Sequence, residues 1–323
     1  MKALKALLIG LLLASTLLAV GVWKILGPVD SEIKQSTVFV VPEDDDRFDL
    51  ARELRVNHLI RSQTAFWWYD FFFGPSGDVI SGGYRLSPSM NTKEILSVLH
   101  SQPKLRWVKV REGLRNEQIG ELLTATLGWS DDVKAEWSSY TKNNFSQEGK
   151  YFPGTYLFPT DEPAANCAHL MLSAFTKETA DLEPLRRRKN ISWNTVLTIA
   201  SLLQREAAGS EDMNLISGII WNRINQNMRL DIDATLQYIK GNSEDGWWAR
   251  VYADDKYLDS PYNTYRTKGL PPGPIANPGL PAIKAALNPT ATPCIFYLHD
   301  TNREIHCSVT YEEHKENIKK YLL

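Results

Sequence analysis

One carboxyl group in this sequence lies where a general acid would be expected. Residues 198–206 are predicted to form a helix, because Ile199, Leu202 and Leu203 recur at helical spacing and Glu206 continues the same face. A carboxylate among apolar side chains is poorly solvated, which raises its pKa, and a carboxyl group that keeps its proton near neutral pH can protonate a leaving group. The competing interpretation is a helix that ends at Glu206 and leaves this side chain in solvent.

Further polar residues follow Glu206 in two predicted elements. Residues 211–225 are predicted to form a second helix whose apolar face carries Arg223, which we expect either to orient a substrate or to pair with Asp233. Residues 260–279 contain so many prolines and glycines, with so little charge, that we predict a rigid loop rather than a flexible linker. The candidate substrate-binding residues are Asn222, Arg223, Asp233, Tyr262, Asn263 and Tyr265, and loop packing is the alternative role for the uncharged ones.

The composition excludes several classes of protein. The chain of 323 residues has a formal charge of -2 and no basic tract, which argues against nucleic-acid binding. Neither a phosphate-binding loop nor metal-ligand spacing is present, so no cofactor and no metal site are predicted. Cys294 and Cys307 lie in the two strands of a predicted hairpin whose register could place them opposite each other, and a disulfide and two free thiols both remain open.

The N-terminal residues have the pattern of a membrane anchor. Lys2 and Lys5 precede an uncharged apolar run at residues 6–23, which has about the minimum length of a membrane-spanning helix. A cleaved signal peptide is the alternative, but the apolar run continues through Trp23, where a cleavage site would be expected. Because lysines favour the cytoplasmic side, we predict a cytoplasmic N-terminus and an exported remainder of the chain.

The predicted elements are a mixture of helices and short strands, which indicates an α+β fold. Two strands and two helices within residues 36–103 form a small module ahead of a longer, mainly helical part. The aromatic run at 66–73 is predicted to be a buried helix, and an exposed patch that touches lipid or glycan is the alternative. Residues 141–150 are predicted to be a polar surface loop.

Several longer motifs, in order from Trp107 to the C-terminus, resemble those of the YceG-like endolytic murein transglycosylases (the MltG family). The motifs are REGL, FPGTYLFP, TIASLLQREA, IIWNRI, MRLDIDAT, SPYNTY and GLPPGPIANPG. The resemblance implies single-pass attachment to the inner membrane, with the catalytic domain in the periplasm, and partners among peptidoglycan glycan strands and cell-wall synthesis proteins. The implied domains are a cytoplasmic tail (1–5), a transmembrane anchor (6–26), a LysM-like module (36–103) and a catalytic domain (104–323).

The activity that the resemblance implies is non-hydrolytic cleavage of a glycan strand within its length. The bond between N-acetylmuramic acid and N-acetylglucosamine is broken and a 1,6-anhydro end is left, with Glu206 as general acid and then base. Gln204 stands where the family often has a second Glu. Two alternatives remain: a hydrolase in which Asp231 or Asp233 is the second carboxylate, and an inactive glycan-binding scaffold, for which Gln204 is the only indication.

Overall fold

The computed structural model describes residues 2–43, 48–143 and 148–323. The chain divides into two compact units, the first comprising residues 1–108 and 157–161 and the second comprising residues 109–156 and 162–323. Helices and antiparallel strands occur in both parts of the chain, so the predicted α+β class is confirmed.

The first unit is built on a four-stranded sheet with the strand order β1-β2-β3-β4. Strands β1 and β2 pair antiparallel from Thr37 opposite Leu86 to Val41 opposite Gly82, and β2 pairs antiparallel with β3. Inward side chains of β1 and β2 meet the apolar faces of three helices, α2 to α4, to form a core. The first elements of the chain are α1 (Lys2–Leu26), β1 (Thr37–Val41), α2 (Leu50–Val56), α3 (Gln63–Phe73), β2 (Gly82–Leu86), α4 (Thr92–Leu99), β3 (Leu105–Val110) and, later, β4 (Gly154–Pro159).

Helix α3 has an exposed aromatic surface. Phe66 is fully buried, whereas Phe71 on the same helix is 83% exposed. A helix that packs against a small core buries only one stripe of its surface, so an uninterrupted aromatic run must turn its remaining rings outward. The prediction that this run is buried is therefore wrong for its exposed members, which are Trp67, Trp68, Phe71, Phe72 and Phe73.

Helix α1 includes all of the predicted membrane segment at residues 6–26. Several of its apolar side chains are exposed, among them Leu17 and Trp23. Within the part of the chain that the structure describes, no helix combines the length and the apolar character needed to cross a membrane.

The second unit is mainly helical and is arranged around α9. All residues from 196 to 203 are buried, because α10, α11 and α12 pack against α9 and supply the apolar side chains of a shared core. Its helices are α5 (Asn116–Leu127), α6 (Asp131–Asn143), α7 (Ala164–Glu178), α8 (Glu183–Arg188), α9 (Trp193–Glu206), α10 (Ser210–Asn225), α11 (Asp233–Lys240), α12 (Leu280–Leu287) and α13 (Tyr311–Tyr321), and its hairpin is β5 (Phe296–His299) with β6 (Ile305–Ser308).

The prediction of a surface loop at residues 141–150 is wrong for several of the residues that the structure describes. Helix α6 continues through Asn143, Glu148 and Gly149 are buried, and residues 144–147 lie outside the described residues. Gly149 has a φ of 86°, and a β-carbon there would lie 2.9 Å from the ring of Pro274. The polar sequence hides this burial because the covering residues come from a distant loop.

The β5–β6 hairpin is closed by a disulfide between Cys294 and Cys307. The cysteines are not opposite each other, because Cys307 pairs in register with Tyr297. Cys294 lies before β5 begins, so the disulfide joins the segment that enters the hairpin to the returning strand.

Candidate active site

Glu206 is the last residue of α9, and the construction of this helix fixes its position. Ser192 caps the N-terminus by accepting a hydrogen bond from the Thr195 amide at 3.0 Å, and the buried residues hold the helix in the core. At the other end, the Tyr297 hydroxyl donates to Glu206 Oε2 at 2.9 Å, and the Ala234 amide in the first turn of α11 also donates to this carboxylate. Two donors therefore hold a partly buried carboxyl group.

Burial raises the pKa of Glu206 above its ordinary value, and it has the largest effect on this group. The Tyr297 hydrogen bond lowers the pKa, the nearby charge of Asp233 raises it, and the Ala234 amide and His299 lower it. Glu206 takes part in none of the ion pairs between described residues. The group therefore keeps its proton to a higher pH than an exposed glutamate, as a general acid requires.

A second carboxylate, that of Asp233, lies close enough to Glu206 to affect its pKa. Asp233 is the first residue of α11, and its Oδ1 accepts a 2.6 Å hydrogen bond from the Tyr265 hydroxyl. Burial and this hydrogen bond raise the pKa of Tyr265, so its hydroxyl remains a donor. The structure thus brings together three of the residues singled out in the sequence: Glu206, Asp233 and Tyr265.

Strand β5 adds two residues that the sequence analysis did not include. Tyr297 and His299 are two positions apart and project from the same face of the strand, with ring centroids 6.0 Å apart. His299 Nε2 lies 2.9 Å from Asp212 Oδ2, which also accepts from the Ala208 amide at 3.1 Å. Alternation along β5 was a usable signal for pairing Tyr297 with His299, but nothing local placed them beside Glu206.

Arg223 is largely buried and binds the backbone around the site. Its Nε donates to Ile295 O at 2.6 Å and its Nη1 donates to Leu230 O at 2.6 Å. Its ion-pair partner is Asp231, at 3.8 Å, so the pair expected with Asp233 is not the one that forms. These contacts place Arg223 as a support for the segments before β5 and α11.

The remaining predicted substrate-binding residues make contacts within the fold. Asn222 Nδ2 donates to two carbonyls in the segment before β5, at 2.7 and 3.0 Å. Asn263 is fully buried, and its amide group binds three backbone groups of its own loop. The ring of Tyr262 packs on that of Tyr238, with centroids 4.8 Å apart. Within the part of the chain that the structure describes, Asn222, Asn263 and Tyr262 are not hydrogen-bond partners of Glu206.

Gln204 fastens a loop to α9. Its Oε1 accepts a hydrogen bond from the Gly279 amide at 2.9 Å. Glu112 approaches Gly279 so closely that a β-carbon at this position would clash with the carboxylate. A neutral side chain at position 204 avoids placing a second negative charge next to Glu112. Gln204 therefore has a structural role that does not involve Glu206.

One group of side chains has the composition of a metal site. Asp300, Glu304 and His306 have ligand atoms within 4.8 Å of one another. His306 Nε2 lies 3.0 Å from Asp300 Oδ2, and Asp300 Oδ1 accepts from the Asn302 and Glu304 amides at 2.8 and 2.9 Å. These hydrogen bonds stabilise the turn of the β5–β6 hairpin, which explains why the three side chains lie close together.

Comparison with known proteins gives consistent relationships. A family model described as the YceG-like family matches residues 39–320. The chain is 29% identical to the endolytic murein transglycosylase of Bacillus subtilis (strain 168), over 92% of this chain and 88% of that protein. It is 26% identical to the protein of the same name from Streptococcus pneumoniae (strain D39), over 91% of this chain, and it spans 60% of that relative's length.

A solved structure agrees with this relationship. The crystal structure of a YceG-like protein from Listeria monocytogenes has a TM-score of 0.58 and 26% sequence identity, and the match covers 88% of this chain and 99% of that one. The resemblance carried by the sequence motifs is therefore confirmed, and the chain belongs to the YceG-like family.

Proposed function

We propose that this protein is an endolytic murein transglycosylase, which cleaves peptidoglycan glycan strands without water. The observation that carries the proposal is Glu206, a partly buried carboxyl group with a raised pKa and two hydrogen-bond donors. Two relatives that match more than nine-tenths of this chain have this activity in their names. The proposal assigns the chemistry to Glu206 alone, first as acid and then as base.

The reaction needs one proton carrier. Glu206 donates its proton to the bridging oxygen, and the bond from this oxygen to C1 of N-acetylmuramic acid breaks. The C6 hydroxyl of the same sugar then forms a bond with C1, and the Glu206 carboxylate accepts the hydroxyl proton. This intramolecular attack gains from proximity. One strand ends in a 1,6-anhydro ring, the other gains a free hydroxyl, and Glu206 recovers its proton.

The neighbours of Glu206 suit both halves of this cycle. The Tyr297 hydroxyl and the Ala234 amide stabilise the carboxylate that remains after the proton has been donated. The Asp233 carboxylate, held by Tyr265 at 2.6 Å, provides negative charge close to the reacting group. A negative charge there stabilises the positive, oxocarbenium-like sugar of the transition state.

A hydrolase is the second candidate, because Asp233 is a carboxylate in the neighbourhood of Glu206. In that reaction Asp233 would activate water and a reducing end would form. Asp231 is the weaker choice for this role, since it lies 3.8 Å from Arg223 and 3.9 Å from Arg229. The two functions differ in their products.

Product analysis with the full-length chain in detergent tests the proposal. Purified peptidoglycan is digested with wild type, Glu206→Gln and, as a matched control, Glu211→Gln, which alters an exposed glutamate on the next helix. We expect 1,6-anhydro-muropeptides from wild type and Glu211→Gln, and about 10²–10⁴-fold slower release from Glu206→Gln. Reducing ends as the main product would support the hydrolase. Glycan binding without any product would support the inactive scaffold.

We also propose that α1 attaches the protein to the inner membrane and that the catalytic unit lies in the periplasm. The uncharged run at 6–23 after Lys2 and Lys5 supports this proposal, as do exposed apolar residues such as Trp23. The protein should stay with membranes in alkaline carbonate, and Leu13→Arg with Leu17→Arg should release it. Equal retention of wild type and variant would contradict attachment through α1.

The family relationship further supports a LysM-like, glycan-binding role for residues 36–103, a catalytic domain at 104–323 and partners among the cell-wall synthesis proteins. The pairing of β1 with β2 next to α2 and α4 fits a small independent module. Cross-linking in intact cells, followed by identification of the attached proteins, would test the partner assignment.

A further inference from the structure

The second unit contains a cavity that the proposed mechanism does not use. Its volume is about 460 Å³, which is within the usual range of small-molecule sites. Residues from the start of α5, the end of α6, the end of α11 and the loop at 260–262 line it. Neither Glu206 nor its partners Tyr297 and Ala234 are among these residues.

Glu148 supplies a buried carboxyl group to this cavity. It is 8% exposed, and its Oε1 accepts hydrogen bonds from the Asn116 amide and from Asn277 Nδ2, both at 3.3 Å. Burial, followed by the nearby charge of Glu117, raises the pKa of Glu148 to about 8. A carboxyl group in its neutral form both donates and accepts hydrogen bonds, which suits a ligand rich in hydroxyl groups.

Aromatic rings form another part of the lining. The rings of Tyr238 and Tyr262 are partly exposed and lie 4.8 Å apart. The guanidinium of Arg115 lies over the Tyr238 ring at 4.1 Å, and its nitrogens donate to Glu117 and to Tyr238 O. The positive charge of Arg115 is thus neutralised within the protein.

We propose that this cavity, whose lining does not include Glu206, is a binding subsite for one neutral sugar unit of the glycan strand. The sugar lies against Tyr238 and Tyr262 and exchanges hydrogen bonds with the carboxyl group of Glu148. The inference rests on the proposed function, because that function supplies the glycan. A sugar suits the two aromatic rings and a carboxyl group that both donates and accepts, while Arg115 is already paired with Glu117. Lys142 is a further charged side chain in the lining, so the free stem peptide is the competing occupant in the test.

Binding to peptide-free glycan strands tests this subsite. The strands come from peptidoglycan treated with an amidase, and the full-length Glu206→Gln chain is used so that nothing is cleaved. Added to this background, Tyr262→Leu removes a ring from the cavity, and Ser138→Trp fills the cavity from its α6 side. Each is expected to raise the Kd about tenfold, which corresponds to about 1.4 kcal/mol. Tyr257→Leu is the control, because Tyr257 is exposed and lies outside the lining.

The outcomes separate this inference from the proposed function. Equal Kd values for Tyr262→Leu, Ser138→Trp and the control would overturn the subsite, even if wild type releases anhydro products. Displacement of the strands by free stem peptide, with the loss of peptide binding in Ser138→Trp, would overturn the sugar assignment. If wild type releases no anhydro product, the proposed function fails. Thermal unfolding of each variant shows whether a change in Kd reflects misfolding.

Discussion

Tyr297 has the largest effect of any side chain on the pKa of Glu206. Its hydroxyl donates to Oε2 at 2.9 Å, and this bond lowers the pKa of Glu206 against the larger effect of burial. Burial and the neighbouring Glu206 raise the pKa of Tyr297 well above its ordinary value, so the hydroxyl stays protonated and continues to donate. Tyr297 therefore remains a hydrogen-bond donor while Glu206 gains or loses its proton.

The variant Tyr297→Phe tests this dependence. It removes a donor that favours the charged form of Glu206, so the pKa of Glu206 should rise further. A hydrogen bond to a charged group contributes about 1.5–3 kcal/mol, so its loss favours the protonated form of Glu206. Since the proposed general acid must be protonated to act, the alkaline limb of the kcat/KM profile should move to higher pH. An unchanged alkaline limb would contradict this role, and Tyr321→Phe is the control.

Local sequence patterns predict only part of the candidate site. The apolar spacing of α9 identifies Glu206 as an unusual carboxyl group, and the position of Asp233 at the start of a helix after alternating residues is also local. The role of Tyr297 depends on a contact between residues 91 positions apart. Asn222 and Asn263 were predicted to supply stabilising dipoles to the substrate, and local patterns did not indicate that their amides bind backbone groups of the fold.

At the scale of elements, α9 fixes the proline-rich loop as well as Glu206. Asn194 Nδ2 donates to Pro272 O at 3.1 Å, Ser201 Oγ accepts from the Ile275 amide at 3.0 Å, and Gln204 accepts from the Gly279 amide at 2.9 Å. These residues follow one another along the helix at spacings of seven and three, which places them on one face. The loop is rigid because its prolines restrict it and α9 anchors it at three points.

Removal of the central anchor should destabilise the protein. Ser201→Ala leaves the buried Ile275 amide without its acceptor, which costs about 1–3 kcal/mol of the free energy of unfolding. Ser173→Ala, an exposed substitution on α7, should change stability by less than about 0.5 kcal/mol. Denaturant unfolding of both variants measures the difference. Equal stabilities would mean that the loop is held by its prolines alone.

The boundaries of elements could be predicted because the signals that set them are local. The predicted helix at 198–206 ends where α9 ends, and the predicted helix at 211–225 matches α10 within one residue. Helix α6 was missed because its apolar face is sparse and it is followed by a polar segment. The exposed aromatic face of α3 was not predicted, because the hydrophobicity of a helix does not show how much of its surface a small core can bury.

At the scale of the whole molecule, Glu148 links folding stability to pH. Its pKa is raised from 4.5 in the reference state to about 8 in the fold. Between these values the folded chain binds a proton that the unfolded chain has released, so the free energy of unfolding falls as pH rises. The upper bound of this loss is about 5 kcal/mol. The folded protein is therefore more stable at mildly acidic pH, where the buried Glu148 carboxyl group is neutral, than above about pH 8.

The variant Glu148→Gln should remove this contribution. Wild type should lose stability between pH 5 and pH 8, whereas Glu148→Gln should lose less, so that the variant gains on wild type as pH rises. Chemical unfolding at several pH values measures both curves, and Glu211→Gln provides an exposed-carboxyl control. Parallel curves for wild type and Glu148→Gln would show that the buried carboxyl group does not titrate in this range.

The stability of the hairpin that carries Tyr297 depends on whether the disulfide between Cys294 and Cys307 has formed. Cys307 lies directly opposite Tyr297 in the ladder, and its link to Cys294 closes a segment with a sequence separation of 13. A crosslink over a loop of this size contributes about 3 kcal/mol. A newly made chain with reduced thiols therefore holds Tyr297, the hydrogen-bond donor to Glu206, on a less stable hairpin.

The double variant Cys294→Ser with Cys307→Ser should lower the melting temperature and slow the release of the proposed anhydro product. Equal values for wild type and variant would show that the disulfide supports neither stability nor activity.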